Sequence, residues 1–217
     1  MRLTAFHKLG AILCAAALWL VPAIARGDAR PLTTEETARL SNGETIVREQ
    51  TVTSDDDEDH RWIGGVAYTV VDATPDEVLS LAGDEAAFAQ ILPRVKTAKR
   101  VDGNGDDQHV QITQGTSLVT ASYVLHVRKY QKEQTLRFWL DPAYAHGIDD
   151  AWGFVRATPI TTTTGEVKTL VTYGALVDIG QGFVRAFYEE RLRAAMLSVP
   201  QLLRAYVKRS IREPRTG

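Results

Sequence analysis

Cysteine is almost absent: the chain of 217 residues has one, Cys14. That residue sits inside the chain's longest apolar run, Leu9 to Val21, which follows Arg2 and Lys8 and precedes the small residues of Ala23-Ile24-Ala25. The pattern is that of a secretory signal peptide, 1–25, with cleavage after Ala25. The other reading is an uncleaved anchor, but the run is shorter than the roughly 20 apolar residues that a spanning helix needs. Removing the leader removes Cys14, which leaves no disulfide, no thiol nucleophile and no cysteine metal ligand. A basic excess is also missing. Beyond Ala25 there are 23 lysines and arginines against 27 acids, a formal charge of −4, and nothing here suggests nucleic acid, whose phosphates demand a basic surface.

Catalytic signatures are missing too. There is no GxSxG and no HExxH, and Gly103-Asn104-Gly105 and Gly180-Gln181-Gly182 lack the rest of a nucleotide-binding loop. His60, His109, His126 and His146 have no spacing that gathers a metal. Neither a cofactor nor a metal is therefore expected. Acid/base work by a tyrosine, or enolate stabilisation by Arg191, stays open as an enzymatic alternative.

What is there is β-rich. About 190 residues of ordinary apolar content suit one domain. Thr33 to Leu40 forms a capped helix stopped by Asn42-Gly43 and belongs to an N-terminal arm, 26–43. Glu44 to Thr53 and Arg61 to Ala73 read as strands, and Thr74-Pro75-Asp76-Glu77 opens a helix, followed by a second short one at Glu85 to Ile91. Strand-like runs then recur at Lys96 to Val101, Gln108 to Thr113, Val119 to Tyr130, Gln134 to Leu140, Trp152 to Thr158 and Glu166 to Ile179, separated by turn chemistry. A long helix, Gly182 to about Arg209, closes the domain 44–209, with a bend at Pro200 and a tail at 210–217. The fold class is α+β: a curved antiparallel sheet of about seven strands gripping the C-terminal helix, with two short helices after the first strand or hairpin.

Three stretches, VDATPDEVLSLAGDEAAFAQILPRVKTAKRV (71–101), WGFVRATPITTTTGEVKTLVTYGALVDIG (152–180) and FVRAFYEERLRAAMLSVPQLLRAYV (183–207), carry a resemblance. In this order they resemble the START-like (SRPBCC, helix-grip) superfamily, in particular its polyketide cyclase/dehydrase and lipid-transport group, which includes coenzyme Q-binding proteins. The resemblance implies a hydrophobic cavity between sheet and helix, and a bound lipid, isoprenoid quinone, sterol or polyketide-like ligand.

Alternation places Tyr123, Leu125, Phe138, Phe154, Val171 and Tyr173 on inward strand faces, as core or as cavity lining. On the last helix, Val184, Tyr188, Leu192, Ala195, Val199, Leu202, Leu203 and Tyr206 form one stripe with Phe183 and Phe187 beside it, while Glu189, Glu190, Arg193, Arg204 and Lys208 fall opposite. Arg191 points into the apolar arc among Ala194, Ala195 and Ser198, so it either holds an anionic headgroup or pairs internally or at the rim. Trp139 is expected on the surface or against the arm. The ligand-binding candidates are thus Tyr123, Leu125, Phe138, Phe154, Val171, Tyr173, Tyr188, Arg191, Ala195 and Val199.

The most conspicuous polar run is SDDDEDH, 54–60. Asp55, Asp57 and Asp59 alternate as calcium ligands do, but His60 and Val66 stand where such a loop needs glycine and glutamate. Asp102, Asn104 and Asp106 fail in the same way, with Asp107 and Thr113. Between two strands the run reads as a hairpin tip. The expected function is that of an exported, monomeric binding or transport protein for a hydrophobic or amphipathic ligand, in transient contact with a membrane. The alternatives are a polyketide cyclase/dehydratase-like enzyme and an interaction domain whose cavity is filled.

Overall fold

Two threonines set the first helical boundaries. Thr33 caps α1 (Thr34–Ser41), its hydroxyl accepting from the Glu36 N–H while the Glu36 carboxylate accepts from the Thr33 N–H. Thr74 repeats the motif with Glu77 at the start of α2 (Pro75–Gly83), and Asp84 ends α2 and caps α3 (Glu85–Ile91). The computed structural model describes residues 30–54, 60–162 and 165–212. The signal-type leader, Asp55 to Asp59 and 213–217 lie outside them.

Strands β1 (Ile46–Thr53) and β2 (Arg61–Val71) form a hairpin whose ends, Thr53 and Arg61, pair directly. The Ser54 N–H donates to the His60 carbonyl (3.1 Å), so pairing continues one step past the strand ends. After α2 and α3 come β3 (Val95–Asn104), β4 (Asp107–Gly115), β5 (Thr120–Tyr130), β6 (Thr135–Leu140), β7 (Asp150–Thr161) and β8 (Val167–Asp178). All pair antiparallel in the order β1-β2-β8-β7-β6-β5-β4-β3. The sheet has eight strands, one more than expected, because the first two runs both join it. It stays open, with β1 and β3 as edges.

Gly64 and Gly65 in β2 take φ values of 153° and 146°. A Cβ on Gly64 would lie 1.9 Å from the Ala175 carbonyl oxygen, and one on Gly65 would lie 2.1 Å from that of Arg48. Only glycine lets both neighbouring strands approach so closely. Strand parity then divides the faces. Val71, Val110, Ile112, Leu125, Val127, Leu136, Val155 and Val171 enter the main core, while Val66 and Tyr68 join Leu40 and Ile46 under the arm helix on the convex face.

The C-terminal helix is broken into α4 (Phe183–Leu197) and α5 (Val199–Arg212). Pro200 has no N–H for the preceding turn, and Ser198 closes α4 by donating its N–H to Ala194 and Ala195 carbonyls. The predicted bend is therefore real, centred on Ser198. Within α4 the stripe positions Tyr188, Leu192 and Ala195 turn inward as expected, but Phe187, expected beside them, is 65% exposed. Arg193 is buried, its guanidinium donating to Thr51 (3.0 Å) and Glu189 (3.1 Å). No helix among the described residues is long and apolar enough to cross a membrane.

Candidate functional site

Under α4 the concave face is not filled. A cavity of about 320 Å³ lies between α3, strands β4 to β8 and the junction of α4 with α5, within the range of roughly 300–1,000 Å³ found for small-molecule pockets. Its inner wall is apolar and buried, formed by Ala82, Phe88, Leu136, Val155, Tyr173 and Leu203. Its mouth is marked by lining residues that reach solvent: Arg94 after α3, Thr120 at the start of β5, Gly147 before β7, and Arg191 on α4.

Of the ten candidate residues, Tyr123, Leu125, Phe138, Tyr173, Tyr188, Arg191, Ala195 and Val199 line this cavity. Phe154 and Val171 do not. On β7 the inward positions are Ala151, Gly153, Val155 and Ala157, so Phe154 has the opposite parity. It is on the convex face, where its ring covers Gly174 so closely that a Cβ there would lie 2.5 Å from it, and where the Arg156 guanidinium stacks at 5.7 Å. Val171 is inward but fully buried in the packed core. The sequence reading missed the contribution of the loops and of one strand end: Pro93, Arg94, Thr116, Val119, Gly147, Ile148 and Ile179, with Gln114 and Gly115 at the end of β4, complete the wall. Strand alternation carries no signal for loop residues; only the glycines and proline at strand ends hinted that backbone would approach there.

Hydrogen bonding orders one side of the mouth. Tyr123 donates its hydroxyl to Gln114 Oε1 (2.5 Å), and Gln114 Nε2 donates to the Pro93 carbonyl (3.0 Å). Tyr173 stacks on Phe138 with ring centroids 6.2 Å apart, and none of the described residues hydrogen-bonds its hydroxyl. Burial pushes both phenols far above their ordinary value, with the neighbouring Tyr123 adding to the shift at Tyr173. Both therefore remain neutral hydroxyls at physiological pH.

Histidines gather elsewhere. Trp139 lies on the convex face, its ring tilted against that of His126 (centroids 4.2 Å apart), and His126 in turn packs tilted against His109 (4.2 Å). Asp107 binds His126 and Arg128, and Asp141 binds His109. His60, Asp149 and Asp178 bring potential ligand atoms within 4.8 Å of one another, a grouping their sequence spacing does not suggest. Asp178 is already engaged by four donors: His60 Nδ1 (3.0 Å), the Arg61 N–H (3.2 Å), the Gly180 N–H (3.0 Å) and Arg185 (2.6 Å). This cluster ties the β1-β2 hairpin to the end of β8 and to α4.

No family model matches the sequence, and no curated protein matches it. Solved structures do share its fold. A STAR-related lipid transfer protein from Xanthomonas axonopodis superposes with a TM-score of 0.58 at 17% identity, covering 76% of this chain and 92% of that one. A START superfamily protein from Mycobacterium smegmatis gives 0.52 at 15% identity, over 66% and 96% of the two chains. The ZhuI aromatase/cyclase from Streptomyces sp. R1128 gives 0.51 at 13%, over 80% and 99%. These likenesses establish the START-like helix-grip fold that the sequence resembles, and at such identities they establish the fold alone.

Proposed function

We propose that this chain is an exported carrier that holds one hydrophobic or amphipathic molecule, such as a lipid, isoprenoid quinone, sterol or polyketide-like compound, in the cavity between sheet and α4. The observation that carries this reading is the cavity itself: an apolar chamber with a solvent-reaching mouth, at the place where a solid core would otherwise be. Leu118 on the β4-β5 turn is 84% exposed and Phe187 on α4 is 65% exposed, and both neighbour lining residues. Exposed apolar side chains beside a mouth suit collection of a ligand from a membrane surface. Export rests on the signal-type leader, and a similar structure named as a lipid transfer protein agrees with the ligand class.

A cyclase or dehydratase reading is less favoured. Among the described lining residues there is no histidine or carboxylate, and the two buried phenols stay protonated, far from the pKa near operating pH that a general base needs. The test is to purify the protein from the periplasm, extract it with organic solvent, and identify what comes with it by mass spectrometry. About one molecule of one apolar compound per chain is expected. Recovery of nothing stoichiometric, together with no uptake of fluorescent lipids by the stripped protein, would sink the carrier reading.

A further inference from the structure

We infer that the cavity takes an anionic amphipath, its oxyanion held at the mouth by Arg94 and Arg191 and its apolar body lying against the inner wall. The inference rests on the carrier reading and specifies its ligand class.

The cavity's charge is one-sided. Among the described residues that line it, the charged ones are Arg94 and Arg191, with no aspartate, glutamate, lysine or histidine. Yet the chain as a whole has more acids than bases, so a site chosen at random would show carboxylates as often as guanidiniums. Many other arginines among the described residues are engaged, Arg48 with Glu36, Arg61 with Glu189, Arg128 with Asp107 and Arg185 with Asp178, whereas Arg209, exposed on α5 and away from the cavity, is not. Arg94 and Arg191 pair with no carboxylate among the described residues. Lys96, close to the mouth, is also occupied, donating to the Thr116 carbonyl (2.9 Å) and the Thr120 hydroxyl (2.7 Å).

Arg94 is also held in place. Its φ is +58°, a left-handed conformation that a residue with a side chain adopts at a cost and that persists only where the surroundings impose it. Here they do so on both sides. The Gly115 N–H donates to the Arg94 carbonyl (3.0 Å), and the preceding Pro93 carbonyl is fixed by the chain Tyr123, Gln114. Tyr123 and Gln114 are thus positioning residues for Arg94. Arg191, the other exposed cation of the lining, projects from α4 beside Ala194 and Ala195, whose small side chains leave its guanidinium room.

A guanidinium is charged at every relevant pH and offers a planar fork of donors that suits a carboxylate or phosphate. Two such forks at the edge of an apolar chamber, where the walls lower the local dielectric constant, select an oxyanion with an apolar tail over a neutral molecule of the same length.

The experiment compares dodecanoate and dodecyl phosphate, each below its micellar concentration, and dodecanol, below its solubility limit, as displacers of a neutral fluorescent lipid from the full mature chain. Both anions are expected to bind about tenfold more tightly than the alcohol, with a preference that shrinks as salt is added. The tighter of the two anions identifies the headgroup. Arg94→Gln and Arg191→Gln should each remove part of the preference, and the double variant all of it, through weaker binding of the anions and a much smaller change for dodecanol. Arg191→Lys, which keeps the charge, should retain most of it. Arg94→Gly, which suits the left-handed backbone, should behave as Arg94→Gln and so separates lost charge from lost fold. Equal binding of all three probes by the unaltered protein overturns the inference and leaves the carrier reading standing. A preference that survives in the double variant overturns it as well. Failure of all three probes and of the fluorescent lipid to bind overturns both.

Discussion

The two halves of the C-terminal helix sit over the same concave sheet and do opposite things to it. In α5, Val199, Leu203, Tyr206 and Val207 are buried against α2, α3, β2 and β8, with Leu203 fully enclosed. In α4, Leu192 and Ala195 are half-buried, Arg191 and Ala194 reach solvent, and the space beneath is a cavity. The halves are continuous in sequence and separated by the break at Ser198 and Pro200. What differs is how the hollow is filled. Leu203, Tyr206 and Val207 close it beneath α5, whereas beneath α4, lined by Tyr188, Leu192 and Met196, the small side chain of Ala195 leaves part of it open. A clamp and a roof thus come from one amphipathic pattern, and the clamp allows the roof to be loose.

If that division is right, substitutions should separate stability from binding. Truncating the clamp has the largest effect: Leu203→Ala should cost about 3 kcal/mol of stability and lower the melting temperature by about 9 °C. The roof should respond the other way. Ala195→Leu extends a side chain into the empty cavity, so ligand affinity should fall about tenfold while stability changes by less than about 1 kcal/mol. Calorimetry and lipid displacement on the two variants decide it. A melting-temperature loss for Ala195→Leu as large as that for Leu203→Ala would mean that α4 is packed as tightly as α5, and the comparison would be broken.

The parts legible in the sequence were those in which local chemistry and tertiary role coincide. Thr33 and Thr74, each three residues before a glutamate, fixed two helix starts because a capping box needs nothing beyond its own turn. Alternation placed Tyr123, Phe138 and Tyr173 correctly because their strands run regularly. It misplaced Phe154 for want of a single-residue register, which Gly153 and Gly174 set by accepting aromatic rings on opposite faces. Arg193 does lie off the apolar stripe but is buried all the same, because that side of α4 rests against the polar side chains of Glu49 and Thr51 on β1, and Arg94 was overlooked because a loop residue in a left-handed conformation has no periodic signature. His60, Asp149 and Asp178 meet through strand pairing across the whole chain, which no spacing reports.

The clamp has a second support whose loss should be small and pH-dependent. The arm helix α1 is tied to β1 by Glu36, which accepts from Arg48 at 2.8 Å, and the turn after α1 is tied to α5 where Arg204 donates to the Gly43 carbonyl. The Arg48 hydrogen bonds first, then the Thr33 N–H, pull the Glu36 carboxyl down from 4.5 to about 2. Because the folded value lies below the unfolded one, the stabilisation is complete above 4.5 and is lost as the pH falls from there through about 2. Hydrogen exchange of the α1 amides should therefore accelerate over that window in the unaltered protein. In Glu36→Gln it should already be faster at neutral pH and should lack the Glu36-dependent acceleration. Because the arm lies on the clamp's side and not under the roof, ligand affinity of this variant at neutral pH should stay within about twofold of the original. A larger loss of affinity would show that α1 supports the cavity through α5, and that clamp and roof are one mechanical unit.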